Sequence, residues 1–498
     1  MECAFEEKIL SHLHLAADEW LRQEETADMI VPDSSPDAEQ ILDSYAVCTV
    51  RSVECRTGSV LISGGVQAGV IYLAQEETAP RVLESYLPFS IKKDLEGSTE
   101  DARAVVCCRA ANVDARILNS RKLMLRLDLG CALQLYVPRE LAVYAPPEDN
   151  PRLQLHRQAY SVTLPVEAAQ KHFAIQEELD LPAGRPALQK LLRYDLQPVL
   201  TESRLAGGRV VFKGELTLEL VYLTQDGGVE RWQTQLPFSQ FVDLAGTYDD
   251  EPLRLELQCA GSDVTWEEGR LCLDLMYLVQ AVIYAPQQLE LVDDAYYLQG
   301  SLQARTAPYS LRCLLDTQQQ SLPVRLSAAG TLRQVLDART FLGRAEVTWQ
   351  NGAATIRVPV TARLWGVGEE GKLTSISGSG WAELTQNASP DSQCCVTAAC
   401  MGEVYAMPGP SGMEVRVNVA LTARWHALCN YESISAVTVQ EDSGSRERPS
   451  VIVRKLTQDT PLWELAKSCG TTCSQIRSAN EIRGDVASAG SLLLLPLA

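Results

Sequence analysis

Along most of the chain, apolar residues alternate with polar ones. Val210 and Phe212, then Leu216, Leu218 and Leu220, and later Leu271, Leu273 and Leu275, occupy every second position. A period of two turns one side of a segment to a core and the other to water, as in antiparallel sheet. Gly-Gly, Asp-Gly-Gly and Glu-Glu-Gly runs punctuate the alternation as turns. Two segments read differently. Ile9, Leu13, Ala16, Ala17 and Trp20 fall on one helical face, which predicts an N-terminal amphipathic helix within residues 1–26. Such a helix docks onto the neighbouring β-rich segment or onto another chain. Pro186-Ala-Leu-Gln-Lys-Leu-Leu192 predicts a short helix with proline in its first turn.

The alternation is also repeated at long range. Gly58-Ser-Val-Leu-Ile-Ser-Gly64 with Tyr72 returns as Gly208-Arg-Val-Val-Phe-Lys-Gly214 with Tyr222. Pro36 and the Ile41-Leu42 pair return as Pro186 and Leu191-Leu192. Leu87-Pro88-Phe89-Ser90 matches Leu236-Pro237-Phe238-Ser239, and Tyr136-Val-Pro138 matches Tyr284-Ala-Pro286. The spacing drifts only slightly over the whole length, so these are two copies of one domain. A third, divergent copy carries Val335-Leu336, Asn351-Gly352, the run Thr355 to Trp365, and Val415, Val417 and Val419. Ser377-Gly-Ser-Gly-Trp381 stands there in place of Leu-Pro-Phe. The expected division is helix 1–26, repeats 27–145, 146–295 and 296–439, a linker 440–450, and a last unit 451–498. The linker is polar and free of large apolar residues, hence flexible, leaving the last unit to find its partner independently.

That unit predicts the order βααβ. Val451-Ile-Val-Arg-Lys455 and the closing leucines are strand-like. Thr460 caps a helix with Pro461 at its first position, and Leu462, Leu465 and Ala466 form its apolar face. Gly470 ends it as a left-handed residue. A second helix runs from about Ser474, with Ile476 inward, to Asn480.

Composition narrows the function. The 498 residues are 46% hydrophobic and 22% charged, an ordinary globular balance, and 44 basic against 64 acidic residues give a net charge of −20. That sign opposes binding to a nucleic-acid backbone. No run of about 20 apolar residues suggests a membrane span, and the acidic N-terminus does not read as a signal peptide. Fifteen cysteines without such a signal are expected to be reduced thiols. Cys107-Cys108, Cys394-Cys395 and the Cys469/Cys473 spacing, with five scattered histidines, give no zinc pattern. Glu267-Glu268 and Asp249-Asp250 sit in turn-like stretches rather than as a glycosidase pair. Cys429 near His426 lacks an orienting third group. No hydrolase elbow, zincin motif or phosphate loop is present.

The last unit closely resembles a LysM domain: Leu462-Trp-x-Leu-Ala-Lys467, Gly470-Thr471, Ile476-x-x-x-Asn480 and Gly490-x-x-Leu-x-Leu-Pro496 carry the likeness. The resemblance implies a shallow groove for N-acetylglucosamine glycans, formed here by Thr457, Gln458, Asp459 and Thr460 with Ala489, Gly490 and Ser491. Thr457-Gln458 replaces the usual Pro-Gly, and Ala489 the usual proline. Trp463 reads as a core residue rather than a sugar-stacking one. The repeats resemble SPOCS-type repeats, and three of them with one LysM unit resemble the spore-coat morphogenesis proteins of spore-forming clostridia. The implied fold is mostly β: tandem β-rich, sandwich-like repeats behind a short N-terminal helix, then a small βααβ LysM domain. The implied role is a non-enzymatic scaffold, without cofactor or metal, in the mother-cell cytoplasm at the forespore surface. Its implied partner is a spore-coat basement-layer protein, or peptidoglycan or another N-acetylglucosamine glycan, with no nucleic acid and no membrane span. The alternative is a cell-wall peptidoglycan-binding protein with the repeats as spacers.

Overall fold

The structure, a computed structural model, describes residues 2–145, 150–298, 300–410, 412–441 and 450–497. It is nearly all β. A short β1 (Glu2–Ala4) is followed by β2 (Glu6–Ile30), β3 (Ala38–Arg56), β4 (Ser59–Ala74), β5 (Pro80–Asp94), β6 (Arg103–Asn119) and β7 (Lys122–Ala145). These form two antiparallel sheets, β2-β7-β6 and β3-β4-β5. Val60, Ile62 and Val66 on β4 share one core with Leu123, Leu125 and Leu127 on β7, so the two sheets face each other across buried alternate positions.

The order repeats. β8 (Leu153–Asp180), β9 (Leu188–Leu205), β10 (Arg209–Thr224), β11 (Val229–Asp243), β12 (Leu253–Glu267) and β13 (Arg270–Tyr297) form sheets β12-β13-β8 and β11-β10-β9. A third set comprises β14 (Gly300–Ala328), β15 (Leu332–Leu342), β16 (Glu346–Gln350), β17 (Ala353–Gly368), β18 (Leu373–Asn387), β19 (Ser392–Gly409) and β20 (Gly412–Glu441). There the two sheets are joined, because β18 also bonds β14 at Gly378 opposite Ala328. The Ser-Gly-Ser-Gly segment explains this: a Cβ on Gly378 would lie 2.5 Å from the Ser327 carbonyl oxygen.

The N-terminal helix is not formed. Residues 6–30 are a strand paired with β7 from Glu6 opposite Ala145 to Ile30 opposite Lys122, and the first sandwich begins at residue 6 rather than 27. The helical spacing was produced by a β-bulge. The register shifts between Leu15 and Ala17, and one extra residue in a period-two strand makes its apolar positions mimic a helical stripe. Ile9, on that stripe, is exposed. The helix expected at Pro186 is likewise absent, since β9 begins at Leu188. Its Leu191-Leu192 doublet is another bulge: Tyr222 faces Leu191, whereas Val221 faces Arg193. The same shift recurs at Ile41/Asp43 and Val335/Asp337. Of the expected linker 440–450, residues 442–449 lie outside the described residues.

The Gly-bounded strand and the Leu-Pro-Phe element form one packing unit. Gly64 faces Phe89 and Gly214 faces Phe238. A Cβ on Gly214 would come within 2.4 Å of the Phe238 ring and 2.5 Å of the Val199 carbonyl oxygen. In the third repeat the corresponding pair is Val358 opposite Ala382, which moves the bulk to the other strand. Gly214→Val is expected to cost about 1–3 kcal/mol through overpacking, measured by urea unfolding. Adding Phe238→Ala restores only part of this loss, because the Val199 carbonyl remains.

The bulges bring equivalent positions of the three repeats together at two buried polar centres. At one, Asp43, Arg193 and Asp337 follow the three bulges. Arg193 donates to Asp337 at 2.6 Å from Nε and 2.5 Å from NH2, and to Glu219 at 2.6 Å. At the other, Tyr136, Tyr284 and His426 occupy the bulge-facing positions of β7, β13 and β20. The Tyr136 and Tyr284 hydroxyls are 2.9 Å apart, and the Tyr284 and His426 rings are 6.2 Å apart. Each repeat therefore touches both others. Burial pushes the Asp43 carboxyl up, with Arg339, 3.9 Å away, and Asp337 modifying it in opposite directions. A carboxyl raised on folding stabilises below its unfolded pKa of about 3.9 and loses that contribution as pH rises through the folded value. Asp43→Asn, which mimics the neutral form, is expected to raise stability by about 1 kcal/mol at pH 7 and to change little near pH 3, read as the shift in thermal midpoint.

Candidate functional site

The C-terminal unit is built from β21 (Val451–Lys455), β22 (Thr460–Pro461), α1 (Leu462–Cys469), α2 (Cys473–Asn480), β23 (Val486–Ala487) and β24 (Leu492–Pro496). β21 and β24 pair antiparallel, Val451 opposite Pro496 and Lys455 opposite Leu492. Leu456, Leu462, Leu465, Ala466, Ile476, Leu493 and Leu495 are its core. Gly470 ends α1 at φ 65°. The expected Thr460 cap is not made: Pro461 holds the cap position without a side-chain bond, and Thr460 Oγ1 donates instead to the Gln458 carbonyl at 2.9 Å. α2 opens one residue earlier than expected. Thr472 caps it, and the Gln475 side chain reaches back to the Thr472 N–H. Asn480 is more than a helix end, since its amide donates to the Leu494 carbonyl at 2.6 Å and accepts from the Leu494 N–H at 2.7 Å. It thereby ties α2 to β24.

The structure brings the two loops named from the sequence to one edge. The Asp459 carboxylate accepts from the Ala489 N–H at 2.7 Å, joining them directly. Leu456 N–H donates to the Ser491 carbonyl at 3.0 Å, and Gly490 N–H to the Leu456 carbonyl at 2.9 Å. Ser491 Oγ donates to the Ser488 carbonyl at 2.7 Å. Gly490 has φ 82°, with nothing within 4 Å of where a Cβ would stand. Thr457, Gln458, Asp459, Ala489 and Gly490 are exposed, and Thr460 and Ser491 are half-buried. The edge offers hydroxyl, amide and backbone groups at a tight loop pair. That chemistry suits hydrogen bonding to a sugar or to a peptide backbone.

Trp463 is neither a core residue of this unit alone nor part of that edge. Its Nε1–H donates to Asp294 Oδ2 on β13 at 2.7 Å, and Lys467 Nζ sits 2.7 Å from the same carboxylate. The indole packs on Tyr296, 4.8 Å between centroids, and on His156 at 5.0 Å. Tyr296 OH donates to the Thr471 carbonyl at 2.7 Å. The unit is thus docked on the second repeat, contrary to the expectation of an independently searching module. Burial opposes ionisation of Asp294, but Lys467 and Trp463 outweigh it and hold the carboxyl below its ordinary value. That stabilisation is present above the unfolded pKa of about 3.9 and is lost as pH falls through the folded one. Asp294→Ala is expected to loosen α1 by about 1–2 kcal/mol, seen as faster amide exchange in α1 with the repeats unchanged.

Other residues singled out from the sequence are dispersed. Glu268 lies in a turn at φ 50°, and Asp249 and Asp250 are exposed in a bend. His426 Nδ1 lies 3.6 Å from Cys395 Sγ, whereas Cys429 packs in a separate cluster with Cys313. Burial lowers His426 to about 4 and pushes the Cys395 thiol up, so neither is primed as base or nucleophile. Among the described residues, no group of three or more His, Cys, Asp or Glu side chains is placed to hold a metal. No helix among them is long and apolar enough to cross a membrane. Cys108 and Cys131 face each other on β6 and β7, with Cα atoms 4.1 Å apart and their sulfurs adjacent. The two polar centres between repeats are not legible from the sequence pattern. The first is signalled by the apolar doublet preceding Asp43, Arg193 and Asp337, which a helix would show equally well, and the second by the repeated Tyr-x-Pro of Tyr136 and Tyr284.

No curated protein and no solved structure matches the chain significantly. The SipL, SPOCS domain family matches residues 37–118 and 188–267. Each match runs from the bulged strand that follows the first turn through the next three strands, β3 to β6 and β9 to β12. The matched segments of the first two repeats are therefore similar to the SPOCS domain, over about a third of the chain.

Proposed function

We propose that the chain is a non-enzymatic morphogenetic scaffold of the spore coat, working in the mother-cell cytoplasm at the forespore surface. The C-terminal unit, read as a LysM domain, binds a coat-basement protein at the edge formed by residues 457–460 and 489–491. The observation that carries this reading is the pair of SPOCS-type matches on a chain whose C-terminal unit leaves that edge open to solvent. Thr457-Gln458 and Ala489 stand where a glycan-binding LysM has Pro-Gly and proline. That change of backbone at the sugar's position favours a protein partner over N-acetylglucosamine glycan. Three serial sandwiches give the molecule broad faces, and several weak contacts on one chain gain by effective concentration.

The test is retention of the full chain by immobilised coat-basement protein and, separately, by purified peptidoglycan. Retention by the protein, reduced about tenfold by Asp459→Ala through loss of the loop clasp, is the expected result. Pelleting with peptidoglycan alone supports instead a cell-wall glycan binder with the repeats as spacers. Retention by neither overturns both.

A further inference from the structure

The third repeat carries on its outer face a row of side chains that its own stability does not explain. Tyr405 faces Arg416 across β19 and β20, and Arg416 faces Arg325 across β20 and β14. Continuing the β14–β18 register from Ala328 opposite Gly378 brings Trp381 opposite Arg325. Four neighbouring strands thus present Tyr, Arg, Arg and Trp in one line, about 15 Å long at the usual strand spacing. Tyr405 is 59% and Trp381 51% exposed, with Met407 exposed beside them. Two arginines directly opposite each other repel. Glu414 bonds Arg416 at 2.8 Å and also feels the charge of Arg325, so one carboxylate serves two guanidiniums.

The corresponding face of the second repeat, on β8, β13 and β12, is its electrostatic complement. Asp263 lies directly opposite Asp274, a like-charged pair of the other sign. Glu178 and Asp180 stand along β8 on the same face, and Arg270 meets Glu178 at 3.2 Å and Asp180 at 3.1 Å. A hollow of about 310 Å³ lies between Glu178, Asp263, Cys272 and Asp274, with Met276 exposed one row along. On a chain of net charge −20, acidic faces repel unless a basic one is supplied.

We propose that the aromatic–arginine row on the third repeat docks onto the acidic hollow on the second repeat of another copy of this chain. Arg325 and Arg416 meet Asp263, Asp274 and Glu178, while one of the aromatic rings fills the hollow against Met276. The two faces differ, so the contact is heterologous: each docked copy still offers its own free partner face, and the assembly grows as an open chain. This docking is independent of the ligand taken by the C-terminal edge.

Sedimentation velocity of the full chain tests it. Growth beyond a dimer is expected as concentration rises toward about 100 μM at roughly 0.05 M salt, and its suppression at about 0.5 M salt, where screening is strong. Arg325→Ala with Trp381→Ala, and separately Asp263→Asn with Asp274→Asn, each leave a monomer. All four sites are exposed, so unchanged circular dichroism and melting are the folding control. Mixing the two variants is expected to give a one-to-one dimer and nothing larger, since only one pair of intact faces remains. A wild-type chain that stays monomeric, assemblies that neither variant weakens, or a mixture that stays monomeric overturns the proposal.

Discussion

Replacing Asp337 by alanine is expected to destabilise the chain by about 3–5 kcal/mol, because the buried Arg193 guanidinium loses its fully buried partner and keeps Glu219 alone to offset its charge. The Arg193 and Asp337 side chains have no solvent exposure. Arg193 comes from the second repeat and Asp337 from the third, so the loss falls on the contact between repeats. Burial opposes ionisation of Asp337, but Arg193 outweighs it and the carboxyl is held below its ordinary value. Its contribution is therefore complete above the unfolded pKa of about 3.9 and disappears as pH falls through the lower folded value. The difference between wild type and Asp337→Ala in urea should accordingly shrink in acid. Arg193→Leu combined with Asp337→Leu should recover most of the loss, since an apolar pair avoids burying either charge. A double variant as weak as the single one would mean that the pair itself, not the stranded charge, sets the cost.

Deleting residues 2–30 is expected to have a still larger effect. As a strand, this segment pairs with β7 along its whole length and buries Leu13, Leu15, Leu21 and Met29. Four such side chains are worth about 6–12 kcal/mol of burial, comparable with the entire stability of a domain, about 5–15 kcal/mol. The truncated chain should lose the first sandwich cooperatively, with amide protection gone from β3 to β7. A docked surface helix would cost far less, so retention of that protection would contradict the strand assignment.

The second and third repeats show how differently one fold can be encoded. Gly214 and Phe238 exchange bulk with Val358 and Ala382, and Gly378 opens a bond between sheets that the other repeats lack. This is why the third copy shares little motif with the first two while keeping their strand order. The loop residues 457–460 and 489–491 were legible because turn residues and a short strand–helix–helix–strand unit are set by local chain chemistry. Trp463 was not. Its spacing fits a helix core, yet its indole N–H finds Asp294, 169 positions away in sequence.

By itself the sequence determined the strand alternation, the duplication and its spacing, the terminal unit and the sites of its two loops. Each rests on periodicity, turn chemistry or self-similarity, all of which act over a few residues. Only the tertiary structure decided that residues 6–30 are a strand, that the Leu doublets are bulges, and that Asp43, Arg193 and Asp337 meet. A bulge adds one residue to a period of two and so imitates a helix over a short window. Only the partner strand distinguishes the two, and it lies 121 positions from Leu15 and 31 from Leu191. Burying charges requires partners from other repeats for the same reason: their stabilisation exists only once the three sandwiches have closed on one another.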